Sequence, residues 1–216
     1  MPAWMTEPEK KPAPGPLLLV QSFVNTHDFD TGVDLLADER TAIPWLRDRG
    51  LLASEGGATA ADLEAARDVR ESIRALLSEP GGQAGAGIAG QGALGDLISN
   101  ATVRVTIGSD GQVGLEPEPR GTLAAGLARL LLIIRDAQHD DTWARLKVCG
   151  NPECRWAFYD RSHARLGTWC DMASCGNLIK NRNLRARAAG KTRPETRQAH
   201  SAQVTATGPA ASARRR

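Results

Sequence analysis

The pattern of apolar and polar positions predicts a mainly helical beginning to the chain. Leu17–Val24 is mostly apolar and fits either a short helix or a buried strand, because periodicity does not separate the two in so short a run. Val33–Arg49 has apolar residues at helical spacing and contains Pro44, so we expect one or two helices there. Neither segment approaches the length of about 20 apolar residues that a membrane-spanning helix needs.

The clearest helix is predicted over Thr59–Leu77, where apolar residues recur at the spacing of one helix face. Thr59 can cap this helix, and Asp62 stands three residues later as an Asp variant of the capping box. A second long helix is predicted over Gly121–Ala137, with enough apolar positions to indicate burial on most sides. A short helix is expected over Leu94–Ser99.

Strict alternation predicts one β-hairpin. Thr102–Ile107 alternates apolar and polar residues, Gln112–Leu115 is the predicted partner strand, and Ser109–Gly111 forms the turn between them. Residues 81–95 contain seven glycines, which indicates a flexible loop. Residues 17–142 are therefore predicted to form an α+β domain that is mainly helical and carries this hairpin.

The two ends of the chain have the composition of disordered segments. Residues 1–16 contain five prolines and two lysines, and we expect an unstructured leader. Residues 191–216 are polar and Ala-rich and end in three arginines, so we expect a disordered basic tail that adds non-specific phosphate contacts. No secretory signal is visible, and we expect a cytoplasmic protein without a membrane segment.

The net charge of +2 conceals a strong asymmetry. Residues 1–144 contain 12 Lys and Arg against 21 Asp and Glu, a balance of −9, whereas residues 145–216 contain 15 against 4, a balance of +11. An acidic body with a basic end predicts an anionic partner for that end.

All four cysteines lie in the basic part, as the pairs Cys149/Cys154 and Cys170/Cys175. Two thiolate pairs can close a tetrahedral zinc site, although a spacing of four residues is at the wide end for such pairs. Because four thiolates leave no position for a substrate water, the predicted zinc ion is structural. The alternatives are four unrelated buried or free cysteines, an iron–sulfur cluster, or replacement of one cysteine by His163.

Basic residues surround and follow the cysteines, and residues 177–188 have good helix formers throughout. A zinc finger with a basic helix, over residues 143–190, is typical of a module that lies against a phosphate backbone. The candidate DNA-contacting residues are Arg161, Arg165, Lys180, Arg182, Arg185 and Arg187. The alternative for such a run is a solvated charged face.

No arrangement in the sequence predicts catalysis. His27–Asp28 and His139–Asp141 are the His–carboxylate neighbours in the chain, and adjacent residues on a helix do not face each other. The glycines at 81–95 lack the pattern of a phosphate-binding loop. We therefore expect a protein that is not an enzyme.

The C-terminal segment resembles the CGNR zinc finger. The resemblance is carried by Cys149, by residues 154–162 (CRWAFYDRS) and by residues 169–177 (WCDMASCGN). This finger usually follows an ABATE domain in predicted bacterial stress-induced transcription regulators, and residues 23–26 (FVNT) resemble the opening signature of that domain. The motif that names the finger ends in Arg, and here Leu178 stands in its place.

The resemblance implies a DNA-binding C-terminus and a ligand-sensing N-terminal domain, in which Asn25 and Thr26 are candidate contacts for a small molecule. We therefore expect a zinc-finger transcription regulator whose N-terminal domain senses a ligand or mediates association, with DNA as partner and a homodimer as a possible assembly. The alternative, from a different class, is a zinc-stapled interaction module whose basic face docks an acidic protein, including the chain's own acidic domain. No heptad repeat or dimerisation helix is visible.

Overall fold

Short hairpins and longer helices alternate along the chain in this computed structural model, which describes residues 9–78 and 92–191. The helices are α1 (Leu17–Val24), α2 (Glu39–Asp48), α3 (Ala60–Ser78), α4 (Ala93–Asn100), α5 (Leu123–His139) and α6 (Asn177–Lys191). The strands are β1 (His27–Asp28), β2 (Val33–Asp34), β3 (Thr102–Ile107), β4 (Val113–Glu118), β5 (Leu146–Val148) and β6 (Ala157–Tyr159). The expected α+β class is thereby confirmed.

The strands form three antiparallel hairpins, β1–β2, β3–β4 and β5–β6, within the described ranges. Only β3–β4 was expected, and its second strand extends three residues beyond the predicted Leu115. The other two hairpins have strands of two or three residues. A strand of that length is too short to show the alternation by which strands are recognised in sequence.

The helices form where their caps and apolar faces predict. At α3 the Thr59 hydroxyl accepts a hydrogen bond from the Asp62 N–H (3.2 Å), and an Asp62 carboxylate oxygen accepts one from the Thr59 N–H (2.8 Å). This reciprocal pair is the expected capping box. The ambiguous segment Leu17–Val24 is helical, and Pro44 lies inside α2. Residues 131–133 of α5 are only half-buried, so this helix is less enclosed than expected.

One apolar core joins the helical domain to the first strands of the finger. Leu17, Phe23 and Leu130 are buried together with Leu146 and Ala157, which lie on β5 and β6. The described residues up to Lys180 form one compact body, and residues from Asn181 onward form a second unit, of which only the continuation of α6 is described. Within residues 9–78 and 92–191, no helix has the length and apolar character needed to cross a membrane.

The expectation of an unstructured leader is wrong for residues 9–16. The Tyr159 N–H donates to the Lys11 carbonyl oxygen (3.0 Å), and the Ala13 N–H donates to the Gln21 side-chain oxygen (2.7 Å). The Lys11 ammonium group lies 4.8 Å from the centre of the Phe158 ring and donates to the Trp169 carbonyl oxygen. This segment therefore runs beside β6 and packs on the finger. Residues 1–8, the glycines at 81–91 and the tail at 192–216 lie outside the described residues.

Candidate metal centre

The β5–β6 hairpin positions the first cysteine pair. Cys149 follows β5 directly, and its N–H donates to the Trp156 carbonyl oxygen (2.9 Å), which extends the ladder past the strand. The Asn151 carbonyl oxygen accepts from the N–H groups of Cys154 (3.0 Å) and Arg155 (3.1 Å). Arg155 has φ of 50°, a left-handed conformation that redirects the chain into β6. This tight turn brings the side chains of Cys149 and Cys154 to one side.

A second turn positions the other pair. Cys170 precedes a π-helical turn over Met172–Gly176, which holds Cys175 and leads into α6. An Asp171 carboxylate oxygen caps this turn by accepting from the Ala173 N–H (2.9 Å). Gly176 lets the Met172 side chain pack against the backbone here, because a Cβ atom at this position would make the sulfur of Met172 move. The predicted pairing of cysteines on two turns is thus what the chain forms.

The four sulfur atoms lie within 4.8 Å of one another. The Sγ–Sγ distances are 3.6 Å for Cys154 and Cys170 and 3.8 Å for Cys170 and Cys175. A tetrahedral zinc ion with bonds of about 2.3 Å would place its sulfur ligands about 3.8 Å apart. The sulfur arrangement therefore fits one zinc ion, and no cysteine of this group forms a disulfide.

The electrostatics of this group favour a cation when the thiols ionise together. Hydrogen bonds from the thiols of Cys154 and Cys170 lower the pKa of Cys149 to about 2. The same contact with Cys149 raises the pKa of Cys154 to about 12, and contacts with both neighbours raise the pKa of Cys170 far above its usual range. Ionisation of one thiol thus disfavours ionisation of a second thiol nearby, because like charges repel at these distances. A divalent zinc ion removes that opposition and lets all four ionise.

The loop between the two cysteine pairs is organised by a carboxylate that the sequence did not single out. Asp160 is buried and accepts hydrogen bonds from the Lys147 ammonium (2.8 Å) and from the N–H groups of Ser162 (3.0 Å) and Gly167 (2.6 Å). Burial raises the pKa of Asp160, but these donors outweigh it and hold the pKa well below its usual range. Asp160 therefore fixes the loop that carries Arg161 and Arg165.

All six candidate DNA-contacting residues are exposed. Arg161 and Arg165 lie in the loop after β6, and Arg161 also donates to the Pro12 carbonyl oxygen (2.9 Å). The other four are on α6, which begins as expected at Asn177 and continues to Lys191. Among the described residues up to Lys180, neither Arg161 nor Arg165 nor Lys180 forms an ion pair with a carboxylate.

The two candidate ligand residues are buried and have partners inside the protein. The Asn25 carboxamide hydrogen-bonds to both backbone groups of Ala157, and its nitrogen also donates to Glu9 (3.0 Å). The Thr26 hydroxyl donates to the Phe23 carbonyl oxygen (2.8 Å) and accepts from Arg70 (3.1 Å). Each thus has a structural role that the sequence did not indicate, and ligand contact by these residues stays a prediction.

A cleft of about 590 Å³ lies beside Asn25 and Thr26. Its walls combine residues of the helical domain with Cys154, Cys170 and Cys175 of the metal centre. The carboxyl group of Glu9 forms part of the wall; burial raises its pKa, although hydrogen bonds from Asn25 and Trp156 oppose that shift. The cleft is therefore lined both by the helical domain and by three of the four cysteines of the metal centre.

Family models match both parts of the chain. Residues 145–188 match the CGNR zinc finger, and residues 18–139 match the ABATE family, described as "Putative stress-induced transcription regulator". The comparison with curated proteins found no match. Since the ABATE model spans more than half of the sequence and the four cysteines fall within the second match, the chain belongs to the ABATE family and carries a C-terminal CGNR zinc finger with a site for one zinc ion.

Proposed function

We propose that this protein is a cytoplasmic transcription regulator, without catalytic activity, that binds DNA through its zinc finger and α6. The observation that carries the proposal is the set of exposed cations on the finger, of which Arg161, Arg165 and Lys180 have no carboxylate partner among the described residues up to Lys180. Exposed, unneutralised cations beside a rigid metal-stapled turn are suited to phosphate contacts. Four unpaired thiols also agree with a reducing compartment.

The cleft is the site at which a ligand could control DNA binding in this proposal. A small molecule seated there would touch the helical domain and the walls of the metal centre together, including Cys154 and Cys170. The mixture of aromatic rings, such as Trp45 and Trp156, with charged groups such as Arg49 suits an amphipathic metabolite. Binding would then change the rigidity of the finger directly, which is the coupling that ligand-sensing regulation requires.

The test is a fluorescence-anisotropy titration of the zinc-loaded full chain on mixed genomic duplexes over a range of salt concentrations. A variant with Lys180, Arg182 and Arg185 changed to Ala should bind more weakly. Its slope of log K against log salt should be shallower by roughly 0.9 for each phosphate that the variant no longer neutralises. Truncation after Gly190 should leave most of the binding intact.

A matched control removes three positive charges elsewhere. Arg40, Arg120 and Arg135 are exposed and pair with neighbouring carboxylates on the helical domain. Their replacement by Ala changes the net charge equally and should leave the slope unchanged. An equal loss of DNA affinity in both triple variants would mean that net charge alone causes the effect. It would contradict the assignment of DNA binding to the finger and α6. Absence of binding by the wild-type chain would favour the interaction module that docks an acidic protein.

A further inference from the structure

The β3–β4 hairpin has one wholly apolar face. Its register pairs Val105 with Leu115 and Ile107 with Val113, so these four side chains lie on the same side of the sheet. Val103 and its partner Pro117 extend the same face. The other side of the hairpin carries the polar set, which comprises Thr102, Arg104, Thr106, Gly114, Glu116 and Glu118.

A sheet that covers a core turns its apolar face inward, whereas this hairpin turns its apolar face toward solvent. Five of the apolar residues are exposed, Val103 41%, Val105 64%, Ile107 74%, Val113 69% and Leu115 36%, while Pro117 is half-buried. On the polar side, Thr106, Gly114, Glu116 and Glu118 are half-buried, and Thr102 and Arg104 are exposed. A two-faced strand normally turns its apolar side inward, and the register enforces that choice where one face is buried. The described residues therefore leave an intact apolar sheet face in water.

The exposed area of this face is large for a single chain. The five exposures together amount to roughly 500 Å², near the upper end of the apolar patches found on monomers. A stable interface buries about 800 Å² on each partner, with an apolar centre and a polar rim. The hairpin face thus supplies the apolar centre that an interface of ordinary size needs, and the adjoining turn at 108–112 supplies polar rim residues.

We propose that this face is the dimerisation surface of the protein and that its occupant is the same face of a second copy. A two-fold axis brings identical patches together, and an uncharged face meets no like charge when it packs on itself. That property matters because residues 1–144 carry a balance of −9, so charged surfaces of two such domains would repel when they face each other. Two hairpins stacked at about 10 Å would bury both faces as in a sheet-on-sheet packing.

The chemistry of the face argues against other occupants. It presents no cation for a nucleic acid or an anionic lipid and no charge for an acidic or basic protein. The surface lies on strands outside the finger, and its dimerisation can be measured without DNA.

The experiment is sedimentation equilibrium of the zinc-loaded full chain from about 1 to 100 µM, a range that brackets the Kd of ordinary reversible dimers. The wild-type mass should approach twice 23.1 kDa at the upper end. A double variant, Val105→Thr with Ile107→Thr, keeps β-branched side chains that suit a strand but removes apolar surface. We expect it to raise the dimer Kd at least tenfold. Thr102→Val, on the polar face of the same strand, is the control and should leave Kd unchanged.

A second measurement does not depend on substitution. Amide hydrogen exchange of β3 and β4 in the wild-type protein should slow as concentration rises, while the amides of α3 should not respond. Circular dichroism of the variants guards against loss of folding. A wild-type chain that stays monomeric at every concentration overturns the proposal, whether another segment, a different protein or a lipid covers the face. A dimer that the double variant leaves intact overturns it equally.

Discussion

The carboxamide of Asn25 pairs with both backbone groups of Ala157. Its oxygen accepts from the Ala157 N–H (2.7 Å), and its nitrogen donates to the Ala157 carbonyl oxygen (2.9 Å), with both residues buried. The side chain thereby acts as an added strand residue beside β6 and connects the end of α1 to the hairpin that carries Cys149. This contact adds polar attachment between the helical domain and the finger to the apolar core that the two share.

Replacing Asn25 by Ala should destabilise the protein by about 1–3 kcal/mol, because the buried Ala157 N–H loses its partner and the Ala157 carbonyl oxygen keeps only its bond from the Gln21 side chain (3.2 Å). Asn25→Asp should be worse, since a carboxylate would face the Ala157 carbonyl oxygen and would lose its donated bond to Glu9. Urea unfolding of the zinc-loaded protein measures both effects. Asn100→Ala, which removes an exposed bond to the Asp96 carbonyl oxygen, is the control and should cost less than about 1 kcal/mol.

A buried ion pair between Arg70 and Asp34 stabilises the helical domain. Both terminal nitrogens of Arg70 donate to the Asp34 carboxylate, at 2.6 and 2.8 Å, and Arg70 is 2% exposed. Asp34→Asn should cost about 3 kcal/mol, at the low end for a broken buried ion pair, because the buried guanidinium then has only the partly exposed Glu71 carboxylate (2.9 Å) as counter-charge. Asp38→Asn removes an exposed carboxylate charge that pairs with exposed Arg40, and should cost far less because an Asn side chain can still cap α2 by accepting from the Arg40 N–H. Equal costs for the two changes would contradict the assigned role of Asp34.

The same pair predicts a pH dependence. Burial raises the pKa of Asp34, but the hydrogen bond and charge of Arg70 outweigh it and leave the pKa below its usual value. A carboxylate with a depressed folded pKa stabilises the protein fully above its unfolded pKa of about 3.9, and that stabilisation is lost as the pH falls through the folded value. The difference in unfolding free energy between wild type and Asp34→Asn should therefore be constant from pH 7 to about 5 and shrink below about 4. A difference that grows on acidification would contradict this.

The sequence predicted the long elements because they repeat a physical signal over many residues. The capping box at Thr59 and the cysteine spacing each rest on local chemistry, and both form as expected. The contacts of Asn25 and of Asp160 depend instead on residues 132 positions away or on a folded loop. No periodicity encodes such contacts. In the sequence, a polar residue that becomes buried cannot be distinguished from a polar residue of a turn or helix end.

Two further features were missed because they contradict the usual meaning of an apolar pattern. Arg70 and Arg74 occupy the buried face of α3, where an apolar stripe would be expected, and their burial is possible only because Asp34 and Glu71 lie nearby. The β3–β4 hairpin was correctly predicted from alternation, but alternation cannot tell which face meets the core. The partial burial of Thr106, Glu116 and Glu118 on its polar side is a property of the folded chain and not of the pattern.

Removal of the metal should unfold the finger. A chelator should release one zinc ion per chain and expose four titratable thiols, the full cysteine content of the protein. Cys170→Ser should lower bound zinc to well below one equivalent and reduce the near-ultraviolet circular dichroism from Trp156 and Trp169, which pack on the cysteine cluster. Ser174→Ala, beside the ligand Cys175, is the matched change and should retain zinc. Full zinc occupancy in Cys170→Ser would contradict the four-cysteine site.

Leu178 stands where the family motif has Arg, and the structure shows its side chain 49% exposed on the first turn of α6. Leu178→Arg would add a cation next to the exposed Lys180 without burying a charge. If the finger binds DNA as proposed, this variant should bind more tightly than wild type and steepen the log K–log salt slope by roughly 0.9, one phosphate contact. Ile98→Arg adds the same charge on α4 of the helical domain, where the native residue is 58% exposed, and is the matched control. A larger gain at 178 than at 98 would support contact between the start of α6 and the nucleic acid. Equal gains would indicate only general attraction, and no gain at 178 would count against α6 as the contacting helix.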